Sequence, residues 1–143
     1  MNEAKGEVKS AVACDGAPKG IEYLWLSPDA KRLIISERNG PATLWDATNG
    51  RKIGPLPALT VYSKSKIAFT PDGSRFAVAT AGDTNAHILD AATGIELLAF
   101  PALPKNVGCL AFSPDGTRLL AGTSNDDPLR IHTGGPGPKA KRK

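Results

Sequence analysis

Two histidines, His87 and His132, are the chain's whole supply of imidazole. A Ser-His-Asp hydrolytic arrangement would have to use one of them. Both fall inside short apolar runs that read as strands, and no G-x-S-x-G nucleophile elbow is present. The densest acidic spot is Asn125-Asp126-Asp127, which lacks the ligand count and spacing of a calcium loop. Asp29, Asp72 and Asp115 recur at a fixed interval, each behind a proline, so they read as turn residues and not as a paired acid and base. The tight glycine cluster, Gly134-Gly135-Pro136-Gly137, opens no helix and cradles no phosphate. No catalytic residue, metal ligand set or cofactor is expected, and the chain is not expected to be an enzyme.

What the same residues do show is a repeat. The phrases LSPDAKRL from Leu26, FTPDGSRF from Phe69 and FSPDGTRL from Phe112 stand 43 residues apart, twice over. A period of that length marks a repeat architecture. Further elements follow in phase. A short apolar strand with an acidic end reads ATLWDATNG from Ala42 and AHILDAATG from Ala86, with LRIHTGG from Leu129 as a degenerate third copy. A third element follows a glycine: GRKIGPLP from Gly50, GIELLAFP from Gly94 and, in the same frame, GEVKSAVA from Gly6.

Each element reads as a strand. In Ser-Pro-Asp-Gly the proline holds the φ that the second turn position needs, and Asp and Gly tolerate the bridge and left-handed regions that follow. Apolar runs flank each turn: Ile21 to Leu26 and Arg32 to Ser36 around the first, Leu110 with Phe112 and Leu119 to Ala121 around the third. Runs this short, bounded by Gly and Pro, argue for strand over helix, and no ten-residue stretch holds a clean helical period. Four strands per unit at roughly ten-residue spacing fit the blades of a β-propeller. The expected fold is all-β, with three four-stranded antiparallel blades. The units run d-a-b-c over about residues 6–48, 49–92 and 93–134, and residues 135–143 form a disordered basic tail.

The three Ser/Thr-Pro-Asp-Gly/Ala phrases, the triplet Leu44-Trp45-Asp46 and its echo Ile88-Leu89-Asp90 resemble the WD-repeat family of β-propellers, from about Gly6 to Thr133. The resemblance implies a hydrogen-bonded tetrad of His, Ser or Thr, Asp and Trp in each unit, and the match is partial. Asp83 and Asp126 stand where the structural Asp belongs, with Asn39 in that place in the first unit. Ser36 could serve on strand b, and Trp45 is the one Trp on a strand c. The His is missing from all three units. Trp45, Asp46, Asp90, Asp83 and Asp126 are thus the structural repeat positions of a divergent member.

Closed propellers have typically four to eight blades. Three blades leave apolar faces and strand edges open, and both invite association. The chain could be a piece of a longer propeller, could pair with itself into a six-bladed homodimer, or could pair with another propeller chain. The segment Glu7 to Ala13 supplies a leading strand d, while the third unit has none after it. In a homodimer that segment could complete the third blade of the other copy.

At 41% hydrophobic and 22% charged the composition is that of an ordinary globular domain. Lys139, Lys141, Arg142 and Lys143 account for the net charge of +4, which leaves the body near neutral. Without interleaved aromatics this tail is a poor nucleic-acid site, and nucleic acid is not an expected partner. Cys14 and Cys109 do not make a disulfide framework, and Cys109 is expected to be a small buried residue. No apolar run approaches the ~20 residues of a membrane span, so no membrane association is expected. The polar start carries no signal-peptide core, and a cytoplasmic place is expected.

The function implied by the resemblance is a non-catalytic protein-interaction scaffold that binds a protein or peptide through the face formed by its b–c and d–a loops. Carried over by position, the contact residues are Arg38 and Asn39, Tyr62 and Lys64, Asp83 and Asn85, Lys105 and Asn106, and Asp126 with Asp127. Tyr62 and Arg38 stand out because Tyr and Arg are over-represented at binding hot spots. The alternative is a propeller fragment or structural repeat module of a larger multidomain protein whose activity lies elsewhere. An enzyme working through the central channel of an assembled ring has no residue in its favour.

Overall fold

A computed structural model describes residues 11, 13–38, 40–56, 66–80, 84–100, 107–123 and 129–133. Every regular element among them is a β-strand. The first sheet runs β1 (Ile21–Leu26), β2 (Arg32–Glu37), β3 (Thr43–Asp46) and β4 (Arg51–Pro55), in spatial order as in sequence. The second repeats the pattern with β5 (Lys66–Phe69), β6 (Arg75–Ala79), β7 (Ala86–Asp90) and β8 (Glu96–Phe100). The third has β9 (Val107–Phe112), β10 (Arg118–Thr123) and β11 (Arg130–Thr133) among the described residues. All pairings are antiparallel hairpins between consecutive strands. The leading strand Glu7 to Ala13 and the basic tail 135–143 fall on residues outside or nearly outside the described set.

The repeated phrase closes the first hairpin of each sheet. Ser27 N–H donates to the Arg32 carbonyl, as Thr70 does to Arg75 and Ser113 to Arg118, each at 2.9 Å. The fourth turn residue must adopt positive φ: 75° at Gly73, 74° at Gly116 and 60° at Ala30. Glycine at Gly73 answers a second demand. A Cβ there would lie 2.6 Å from the Asp29 side chain of the neighbouring sheet. The turn from third to fourth strand closes with Gly50 N–H on the Asp46 carbonyl and Gly94 N–H on that of Asp90, at 2.9 and 2.7 Å.

Because side chains alternate along a strand, each sheet carries two apolar faces, and the sheets stack through them. Ile34, Leu44 and Leu56 of the first sheet meet Phe76, Val78 and Leu89 of the second, all at most 2% exposed. The opposite face of the second sheet presents Ala77, Ala79 and Ala86 to Leu119 and Ala121 of the third. A fully buried Leu, Ile or Phe contributes about 1.5–3 kcal/mol, and alanine far less. The first joint, built of large side chains, therefore outweighs the second.

Arg32 adds a polar link across the first joint. Its Nε donates to the Ala91 carbonyl at 2.8 Å, and its guanidinium lies 3.8 Å from the Asp46 carboxylate within its own sheet. Such a partly exposed ion pair is worth at most about 1 kcal/mol.

Two residues stand otherwise than the sequence suggests. Cys109 is exposed and unbridged, as is the half-buried Cys14 unbridged. Cys109 lies opposite Gly122, on the face of the third sheet that turns away from the second. Ser36 is buried but does not serve Trp45. The Trp45 Nε1 donates to Thr43 Oγ1 at 2.8 Å, and that hydroxyl donates to the Ile35 carbonyl at 3.4 Å. Trp45 stands across from Leu33, so the step of two puts Ser36 on the other face. The Ser36 hydroxyl has no hydrogen-bond partner among the described residues.

Candidate functional site

The hairpins sort the connections onto two rims. The turns after first and third strands share one rim: Ala47 N–H donates to the Lys31 carbonyl and Ala91 N–H to that of Ser74, both at 2.9 Å. Every aspartate of the repeated phrase is consumed here. Ser27 Oγ donates to Asp29 at 2.6 Å, Thr70 Oγ1 to Asp72 at 2.8 Å and Ser113 Oγ to Asp115 at 2.6 Å. The main-chain N–H groups of Lys31, Ser74 and Thr117 donate to the same carboxylates at 3.0, 2.9 and 3.0 Å. Donors favour the ionised form. The N–H and hydroxyl of Ser74 hold the Asp72 carboxyl down to about 2, and the Ser113 hydroxyl with the N–H and hydroxyl of Thr117 does the same for Asp115. The Ser27 hydroxyl lowers Asp29, and the Thr48 hydroxyl and N–H lower Asp46. Turn acids whose carboxylates are bound up in their own turns, with pKa values held below the ordinary range, act as structural locks.

The opposite rim carries the connections from second to third strands, and the main-chain N–H of Arg38 donates there to the Gly20 carbonyl at 3.3 Å. Arg38 itself is exposed, just beyond β2, and Asn85 is half-buried, just before β7. These two expected contact residues therefore come from equivalent corners of adjacent sheets. The others, Asn39, Tyr62, Lys64, Asp83, Lys105, Asn106, Asp126 and Asp127, lie outside the described residues. Of the structural repeat positions, Trp45 is 1% exposed behind the rim, and Asp46 and Asp90 cap the third-to-fourth-strand turns. Asp46 accepts from Thr48 N–H at 2.9 Å and Asp90 from Thr93 N–H at 3.0 Å.

A cleft of about 520 Å³ opens between the second and third sheets. Its walls are mostly apolar, with Ile88, Leu98, Phe112, Leu119 and Ile131 among them, and its polar groups include Arg75, His132 and three threonines, Thr70, Thr117 and Thr133. The other histidine, His87, engages the Glu96 carboxylate on the neighbouring strand through Nδ1. Among the described residues no three His, Cys, Asp or Glu side chains gather as metal ligands. No helix among them is long and apolar enough to cross a membrane.

Sequence reasoning passed over Arg32. Its signal was in plain view, because Arg32, Arg75 and Arg118 close the same tripeptide of each phrase at the repeat interval. The cleft had no such signal, since it depends on how far apart two sheets sit.

Antiparallel sheets in sequence order, two of four strands and one of three among the described residues, stacked face to face by equivalent surfaces, define the protein as a set of β-propeller blades. Solved structures agree. The chain is similar to Kuenenia stuttgartiensis hydrazine synthase, with a TM-score of 0.65 and 21% identity over 93% of this chain. It is also similar to the WD40 repeats of RRP9, with a TM-score of 0.64 and 21% identity over 84%. The chain spans 36% and 37% of the lengths of those two chains. At this identity the likeness is one of fold alone, and an enzyme and a WD-repeat protein share it. No family profile and no curated protein matches the chain.

Proposed function

We propose that the chain is a non-catalytic interaction scaffold that binds a protein or peptide on the rim bearing Arg38 and Asn85. The observation that carries this reading is the division of labour between the rims. On one, the repeated acids are bound up in their own turns. On the other, the exposed Arg38 follows β2 and the half-buried Asn85 precedes β7, both in second-to-third-strand connections. Arginine and tyrosine, here Arg38 and Tyr62, are the residue types over-represented at binding hot spots. Pairing of two copies into a six-bladed ring belongs to this reading, since it would complete the rim.

The test is affinity capture with identification of the bound protein, comparing the wild-type chain with Arg38→Ala/Tyr62→Ala. A partner held by the wild type and lost by the double variant supports the reading. A partner held equally by both contradicts it.

A second reading has its own observation. The chain spans little more than a third of the solved chains that it resembles. It would then be a repeat module of a larger protein whose activity lies elsewhere. Recovery of the native polypeptide at a mass well above 14.9 kDa would favour it.

A further inference from the structure

The two joints inside the chain are made by the same pair of surfaces. Register places Trp25, Ile34 and Leu44 in one row across the first sheet, and that face meets the second sheet. The equivalent row of the third sheet is Ala111, Leu120 and Ile131. Ile131 on this row is 57% exposed, although it also borders the cleft toward the second sheet. At the other end, Phe76 and Leu119 stand in the rows by which the second and third sheets receive the sheet before them. Their counterpart in the first sheet is Leu33, paired with Leu26, which is 58% exposed. The outward faces are thus the two halves of a contact that the chain already makes twice.

The arginine repeat completes the match. Arg32 opens β2 and reaches forward to the carbonyl of Ala91 in the next sheet. Arg118 opens β10 in the same place, is exposed, and donates its guanidinium to no acceptor among the described residues. Ala47 is to the first sheet what Ala91 is to the second, since each N–H donates to the carbonyl at the end of its own sheet's first turn. The turns set the spacing that Ala30 requires: a Cβ at Gly73 would lie 2.6 Å from Asp29 in the first joint, whereas at Gly116 it would stand 3.6 Å from Pro71 in the second, so Ala30 fits a joint spaced like the second.

We infer that the outward face of the third sheet docks onto the outward face of the first sheet in a second copy of this chain, with Arg118 donating to the carbonyl of the partner subunit's Ala47. Made reciprocally, this contact closes on itself with two-fold symmetry and six blades, within the range of closed propellers. The inference rests on the paired ring proposed above and specifies its joint.

The test is light scattering on a sizing column across a concentration series, with circular dichroism to show that each variant stays folded. The wild type should run at twice 14.9 kDa. Ile131→Glu and Leu26→Glu should each run as monomers, and Arg118→Ala should dissociate about tenfold more readily. A mixture of the two glutamate variants should recover a dimer, because one joint then joins two unaltered faces. A folded wild-type monomer overturns the inference, whatever Arg38 binds, and assigns the faces to further blades of a longer polypeptide. A dimer untouched by all three variants overturns this joint while leaving the pairing itself in place.

Discussion

Arg32 and Ala91 lie 59 residues apart in sequence and in different sheets, yet the guanidinium Nε of one donates to the carbonyl of the other at 2.8 Å. This is the polar tie of a joint otherwise made of apolar side chains. Arg32→Ala should lower unfolding stability by about 1–2 kcal/mol in urea titration, because a charge-assisted hydrogen bond is lost and a part-buried carbonyl is left without it. Arg75→Ala, at the equivalent place beside the cleft, should cost under about 0.5 kcal/mol.

The joints differ in side-chain size, so they should differ in cost. Phe76 is fully buried in the first joint. Phe76→Ala should destabilise by about 3–5 kcal/mol, a large share of the stability of an ordinary domain. Ala77→Leu, on the other face of the same strand, should cost about 1–3 kcal/mol by overpacking. Denaturant midpoints followed by tryptophan fluorescence would check both, since Trp25 packs against the first joint.

Ala30 holds φ at 60°, where its two repeat partners are glycine. Ala30→Gly should raise the melting temperature, by the equivalent of roughly 0.5–1 kcal/mol, because the left-handed strain on a Cβ disappears. Gly73→Ala should lower it by more, since strain is joined by the clash with Asp29. Thermal melts of the pair should move in opposite directions.

The turn acids set the acid limit. Asp72 and Asp115 titrate at about 2 in the fold against an ordinary value of 3.8. A carboxyl whose pKa is lowered by folding stabilises the fold above its unfolded value and loses that contribution as pH falls through the folded one. The urea midpoint should therefore be level down to about pH 5 and fall between about pH 4 and 2. Asp115→Asn should flatten part of that fall.

Much of the fold was legible because the turn is chemically demanding. Pro28, Pro71 and Pro114, with the acid after each, fixed three hairpins, and the strands appeared where the apolar runs stood. The site was less legible, for reasons that the residues show. Ser36 lies on the right strand to serve Trp45 but on the wrong face, and face is decided by register. Cys109 lies in an apolar run yet is exposed, because burial depends on what stands in front of a sheet and not on the strand's own letters. Arg32 reads as an ordinary strand opener until the neighbouring sheet supplies the Ala91 carbonyl. Arg38 and Asn85 were marked by counting from the repeat, and counting reaches a rim without saying what rests on it.

The central claim is that partners meet the rim of Arg38 and Asn85 and not the rim of locked aspartates. Amine-reactive cross-linking of the captured complex, read by mass spectrometry, separates the two directly. Lys64 and Lys105 are the lysines proposed for the binding face, whereas Lys31 sits beside a turn of the locked-aspartate rim and is exposed. The account predicts partner cross-links at Lys64 and Lys105 and none at Lys31. Cross-links concentrated at Lys31, with Lys64 and Lys105 left unmodified by the partner, would contradict it.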